Sequence, residues 1–313
     1  MICSPADIKA AAAKLEAGEL VAFPTETVYG LGANALLDAS VAAIYATKER
    51  PQFNPLIVHL PSIEAAKPYV RWTELAEKLA STFWPGALTL VLERASNCPL
   101  SLLVSAGMDT VAIRVPNHAV ACELLAAAGV PVAAPSANRS GRISPTQASH
   151  VRDEFGDSIT LLDGGPCMLG LESTVVDARG EQPILLRPGC ITLEALAVVA
   201  GGAQHAQPGG PKTSPGMLES HYAPDKKLRL NATSVHAGEA LLAFGPDVPE
   251  GAQQVLNLSV SGNLQEAAAN LFSMLRRLDA GSAKSIAAMG IPDTGVGLAI
   301  NDRLARAASG KKA

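Results

Sequence analysis

The sequence predicts an α/β protein, with a large, partly mixed sheet followed by a smaller α/β unit. Three observations carry that prediction. Short runs of Val, Ile and Leu alternate with helix-length segments through the first 200 residues. Some of those strand-like runs follow one another directly, which favours a mixed sheet over a purely parallel one. A stretch crowded with Gly and Pro, residues 201–224, then breaks the rhythm before it resumes. The domains expected are residues 1–200, a linker at 201–224 and a second unit at 225–313.

Pro5 and Gly18 frame a first helix over Pro5–Ala17, by proline's fit to the first turn and glycine's fit past the last. Leu20–Phe23 reads as a buried strand entering the loop Pro24–Gly32. Asp38 is placed to cap a helix over Ala39–Thr47. Pro55–Leu60 suits a strand, and Thr73–Phe83 suits a helix that Trp84-Pro85-Gly86 stops. Strands at Ala87–Leu92 and Thr110–Val115 precede a helix at His118–Ala128. The strand Val130–Ala134 runs into Pro135-Ser136-Ala137-Asn138, and a helix is expected to begin near Pro145. Strands follow at Ile159–Leu162, Thr174–Asp177 and Ile184–Leu186. Beyond the break, Lys227–Leu230, Ala240–Phe244, Gln254–Leu258 and Ile286–Met289 read as strands. Leu264, Ala267, Ala268, Leu271, Leu275 and Leu278 recur at helical spacing between the last two.

Composition narrows the function. At 48% apolar and 17% charged residues, the chain can build a core and does not read as disordered. A net charge of −4 argues against a chain whose main task is gripping a nucleic-acid backbone, while leaving room for a local basic pocket. The first 20 residues carry Asp7, Lys9, Lys14, Glu16 and Glu19 and no apolar core of a targeting signal. No run approaches the roughly 18 apolar residues of a membrane span. The five cysteines are scattered and never spaced C-x-x-C, so neither a disulfide framework nor a zinc site is expected. A cytoplasmic location follows.

Four segments combine polar or basic side chains with strand ends, where open α/β sheets place their sites. Pro24–Gly32 offers hydroxyls and approachable backbone, and reads equally well as an ordinary turn. Lys48-Glu49-Arg50, before a proline-fixed turn that closes at His59, can converge on a phosphate or carboxylate. A solvated helix end that suits cations is the plainer reading of that pair. Pro135–Pro145 has small hydroxyls, an amide and a helix start past Ser144, which suits both an anion cradle and a simple helix cap. Glu172-Ser173-Thr174 and Arg187-Pro188-Gly189 form the fourth, with Thr110 and Arg114 on an intervening strand. The chain has no G-x-x-x-x-G-K-[ST] loop, no G-x-G-x-x-G and no G-x-S-x-G elbow.

Taken in order, these segments resemble the YrdC-type threonylcarbamoyl-AMP synthases in their long two-domain form. The resemblance rests on Phe23–Gly32, Lys48–His59, Phe83-Trp84-Pro85-Gly86-Ala87-Leu88-Thr89 and Arg114-Val115-Pro116. It continues through Pro135–Pro145, Glu172–Asp177 and Arg187-Pro188-Gly189, and in the linker through Ser214-Pro215-Gly216-Met217 and His221-Tyr222-Ala223-Pro224. The chain departs from many family members at Leu218-Glu219-Ser220, where basic and aromatic residues are common. The resemblance implies a YrdC-like twisted sheet, a smaller Rossmann-like C-terminal domain and a linker that folds back over the nucleotide. It implies that L-threonine, bicarbonate and ATP are converted to threonylcarbamoyl-AMP with pyrophosphate release, for a tRNA-modifying enzyme downstream. Magnesium is expected with the ATP, and a weak RNA contact is compatible.

Carried over by position, Thr27, His59, Arg114, Ser173 and the backbone at Ala134 are expected to line the L-threonine pocket. Arg50, Asn54, Thr110, Ser136, Ser144, Arg187 and Tyr222 are expected to line the ATP pocket, with Lys48 beside Arg50 in a catalytic cationic clamp. No residue after 225 is assigned a role in the site. Two other classes fit parts of the pattern. An RNA-binding module would use Lys48, Arg50, Arg139 and Arg142 on phosphates, and a transferase using carbamoyl phosphate would need no threonine.

Overall fold

The computed structural model describes residues 3–51, 53–206 and 222–310. Gln52 and residues 207–221, which include the linker motifs up to His221 and the Leu218-Glu219-Ser220 departure, lie outside them. Two sheets organise the described chain. The first has ten strands, in the spatial order 204–205, 184–187, 174–177, 88–93, 110–114, 57–59, 132–133, 30–34, 21–23 and 160–161. The Ile57–His59 and Thr110–Arg114 strands pair in parallel, whereas Leu88–Glu93 runs antiparallel to Thr110–Arg114. The sheet is therefore mixed, as the consecutive strands in the sequence predict. The second sheet has four strands, 227–229, 285–288, 239–243 and 255–257, all paired in parallel. Leu264–Asp279 and Gly297–Ala308 are its helices.

Local chemistry explains most helix starts. Ser4 and Asp7 form a reciprocal capping box ahead of the Pro5–Glu16 helix, and Thr73 accepts from the Ala76 amide at the start of Glu74–Phe83. Asp38 does not cap its helix. It opens the Asp38–Lys48 helix from within, with Leu37 at the cap position and no side-chain bond there, and its charge serves only the helix dipole.

Ser144 also departs from its expected cap. The helix near it begins at Ala148, and the Ser144 hydroxyl instead donates to the Glu172 carboxylate. The hydroxyl's one proton thus goes to a buried carboxylate, and residues 135–147 are irregular. The loop expected through Gly32 ends early, because Gly30–Asn34 is a strand. A Cβ on Gly32 would lie 2.8 Å from the Phe23 ring and 2.9 Å from Val132. Glycine here admits close packing inside a sheet, which looks like a loop in sequence.

The two sheets share one apolar cluster. Val28, Ile143, Leu171 and Tyr222, all from segments around the first sheet's cleft, are buried with Leu271, Phe272, Ile286 and Ile300 of the second unit. Contact is tight at Gly170, whose added Cβ would sit 2.5 Å from the Ala269 carbonyl oxygen. Polar ties flank the cluster. Arg276 pairs with Glu154 at 2.8 Å and donates to the Ile143 carbonyl, and Arg303 reaches Glu172 at 2.9 Å.

Candidate active site

A cleft on the first sheet gathers Thr27, Arg50, His59, Arg114, Ala134, Ser136, Ser173, Arg187 and Tyr222, together with Thr25 and Glu172. The five residues expected around L-threonine and four of those expected around ATP thus face one cavity. Asn54, Thr110, Ser144 and Lys48 do not line it. Asn54 offers its carbonyl to the Arg50 Nε at 3.3 Å, and its amide nitrogen is buried without a partner. Thr110 starts the strand whose far end carries Arg114. Ser144 stands behind Glu172.

Backbone shape places the side chains. Thr25 and Thr27 share a buried loop, their hydroxyl oxygens 2.8 Å apart. The Thr25 hydroxyl donates its one proton to the Val28 carbonyl at 2.7 Å, so Thr27 is the donor between them and its oxygen keeps lone pairs for a ligand. His59 and Arg114 end adjacent parallel strands and are directly paired in register. Arg114 donates through Nε to the Gly86 carbonyl at 3.2 Å and through Nη2 to Glu26 at 2.6 Å, both side chains being 4% exposed. Its Nη1 remains for a ligand. Arg187 donates to the Ser173 carbonyl at 2.8 Å and to its hydroxyl at 3.1 Å, and Ser173 in turn meets the Thr89 hydroxyl at 2.7 Å.

Burial sets the electrostatics. Arg50 is pushed down to about 10, chiefly by burial, and Arg187 shifts the same way for the same reason. Both remain cations at neutral pH, poorly hydrated and therefore responsive to an anion. Lys48 is buried still more deeply and falls well below its ordinary value, by desolvation first and then by the Arg50 charge. Its Nζ donates to the carbonyls of Ser136 at 2.5 Å and of Asn138. It braces the Pro135–Asn138 turn rather than facing the cavity.

His59 is held down to about 3 by burial and by the Arg114 charge, so its ring is neutral. Nδ1 faces the Ile57 carbonyl at 3.3 Å, and the Val132 carbonyl is a second acceptor for the ring. Between pH 6.5 and about 3 the unfolded chain binds a proton at this residue and the folded chain does not. Stability from His59 is therefore complete above about pH 6.5 and is lost as pH falls toward 3. Urea titrations over that range are expected to show stability falling with pH, and a shallower fall in His59→Gln. His150, lowered to about 4, keeps part of the slope in the variant. Identical slopes in the two proteins would remove His59 as the cause.

Residues 13–189 match the family described as "Telomere recombination", and residues 191–309 match "Threonylcarbamoyl-AMP synthase, C-terminal domain". The threonylcarbamoyl-AMP synthase of Bacillus subtilis is 42% identical over 97% of this chain and 93% of its own length. The chain belongs to the threonylcarbamoyl-AMP synthase family. The Pyrococcus abyssi relative of the same name is 40% identical over 96% of this chain and 93% of its own length. The crystal structure of P. abyssi Sua5 complexed with L-threonine superposes with a TM-score of 0.90 at 37% identity, covering 99% of this chain and 96% of that one.

Three residues of the site carry no role in the sequence reading. Glu26 holds Arg114 through one oxygen, while its other oxygen is buried without a partner. Glu172 lines the cavity between Ser144 and Arg303. Burial opposes its charge, but Arg303 and Arg187, with the Ser144 hydroxyl, hold its carboxyl below the ordinary value. Both glutamates sit inside the quoted motifs, so an acid beside a hydroxyl at a strand end was the signal available. Arg303 had no signal, because the Gly297–Ala308 helix was not predicted.

Proposed function

We propose that this chain makes threonylcarbamoyl-AMP from L-threonine, bicarbonate and ATP. One observation carries the reading: Arg114, with a free Nη1, shares a cavity with Arg50 and Arg187, so a carboxylate site adjoins a dicationic phosphate site. The full-length similarity to threonylcarbamoyl-AMP synthases, and to a relative that binds L-threonine, supports the assignment of the amino acid.

In this mechanism Arg114 takes the threonine carboxylate, and Thr27, Ser173 and neutral His59 orient the hydroxyl and amine. The amine adds to bicarbonate carbon, water leaves, and N-carboxy-threonine forms. A carbamate oxygen then attacks the ATP α-phosphorus. The bond from that phosphorus to the bridging oxygen breaks, and pyrophosphate departs with its electron pair. Arg50 and Arg187 oppose the charge growing on the phosphate oxygens, while Ser136 and Tyr222 border the nucleotide. Tyr222 keeps its proton, pushed up to about 12 by burial and by Glu172, so it serves as a hydroxyl donor. Holding carbamate and phosphate in line can supply about 7–11 kcal/mol of the barrier.

Magnesium enters as the partner of ATP. Among the described residues no cluster of three His, Cys, Asp or Glu could hold it, and a small, strongly hydrated cation is suited to the nucleotide's own phosphate oxygens. The product is expected to pass to a separate enzyme that transfers the threonylcarbamoyl group to tRNA. Of the cations a direct RNA face would use, Lys48 is spent on backbone carbonyls and Arg50 faces the cavity. No helix among the described residues is long and apolar enough to cross a membrane.

The test is pyrophosphate release from ATP and magnesium by the purified chain, with threonine and bicarbonate each supplied or withheld. Release is expected only when both are present, and much less with L-serine. Release independent of threonine, or activity that needs carbamoyl phosphate instead, would overturn the reading.

A further inference from the structure

We propose that Arg303, contributed by the C-terminal domain, is a positioning residue of the nucleotide site. The inference rests on the synthase reading above and extends it to a domain in which no residue had a role. Arg303 is 1% exposed, on the buried face of the Gly297–Ala308 helix. Its Nε donates to the Glu172 carboxylate at 2.9 Å and its Nη2 to the Pro188 carbonyl at 3.0 Å. Its guanidinium carbon lies 5.4 Å from the centre of the Tyr222 ring, over its face, and Nη1 is anchored by Asp302 at 2.6 Å.

One guanidinium thus ties together three separate segments of the chain. Glu172 precedes Ser173, Pro188 follows Arg187, and Tyr222 lies near the end of the linker. Glu172 passes the restraint to Ser144, and the Tyr222 ring also stacks on Phe272 at 5.3 Å. The Ser173 and Arg187 segments already approach so closely that a Cβ on Gly189 would lie 2.4 Å from the Thr174 nitrogen. At that separation a small shift of either segment moves Arg187 relative to Ser173. A guanidinium presents five donors in a rigid planar fork and so fixes a carboxylate, a carbonyl and a ring in one geometry, whereas an ammonium is a point charge on a flexible stem. The C-terminal domain therefore acts on the reaction through geometry, without touching the reacting atoms.

The test compares the full chain with Arg303→Met and Arg303→Lys, by threonine-dependent pyrophosphate release, ATP calorimetry and melting. In Arg303→Met the ratio kcat/KM for ATP is expected to fall about 10–100-fold, with KM for L-threonine changing less. The acid limb of the pH profile for kcat/KM(ATP) should move to higher pH. Glu172 then faces Arg187, Ser144, Tyr222 and the Cys190 thiol without its principal counter-charge, and its carboxyl protonates more readily. A merely structural arginine would lower the melting temperature and leave that limb in place. Should Arg303→Met not fold, Arg303→Lys decides, since it keeps a charge for Glu172 while losing the Pro188 bond. Wild-type kinetics and an unmoved acid limb in a folded variant would overturn the proposal. An inactive wild-type chain would instead sink the synthase reading.

Discussion

Arg114→Met is expected to abolish L-threonine binding and to cost about 3–5 kcal/mol of folding stability, because it leaves a buried carboxylate with no counter-charge. Glu26 is that carboxylate. It is 3% exposed, its one bonded oxygen rests on Arg114, and its other oxygen is buried without a partner. The two losses have different causes and can be separated. Arg114→Met/Glu26→Gln removes the stranded charge, so most of the stability should return while threonine binding stays absent. Calorimetry with L-threonine and urea titration of both variants make the comparison. Undiminished threonine affinity in folded Arg114→Met would show that the amino-acid carboxylate sits elsewhere. Recovery of binding in the double variant would make Arg114 a purely structural partner of Glu26.

Arg50→Ala is expected to lower kcat by about 10²–10³-fold, the usual effect of removing one preorganised donor from a developing negative charge. Arg50 also donates to the carbonyls of Asn54 and Pro55, at 3.3 and 3.0 Å. Leaving buried acceptors unmade costs about 1–3 kcal/mol, so the melting temperature should fall moderately as well. Arg50→Lys separates the contributions. It retains a charge and loses the planar fork, and it should recover only part of the rate. Single-turnover pyrophosphate release beside thermal melts gives both numbers. Wild-type kcat in a folded Arg50→Ala protein would remove Arg50 from the chemistry.

The strands that bear the site were legible because they are short apolar runs bounded by Gly and Pro. Thr174–Asp177 appears as predicted, and Ile57–His59 and Thr110–Arg114 differ only at their ends. The second unit's strands and its Leu264–Asp279 helix were legible for the same reason, since that helix keeps a clean apolar stripe. Gly297–Ala308 was not. It opens with glycine, has no side-chain cap and buries an arginine on the face where a stripe would show leucine. A buried charge breaks the periodicity from which helices are read, unless its partner is known.

Residue types and their order were enough to establish an α/β chain of this family, and to name the hydroxyls, amide and cations from which a site could be made. Those properties are local or cumulative along the chain, and need no knowledge of distance. Only the tertiary structure decided how the cations divide. Lys48 and Arg50 are two residues apart, yet one braces backbone carbonyls and the other faces the cavity. It also decided that Glu26 holds Arg114 and that Arg303 closes on Glu172 from 131 residues away. The physical reason is desolvation: a buried charge must find its partner in space, and the partner's position in sequence is set by how the two sheets pack.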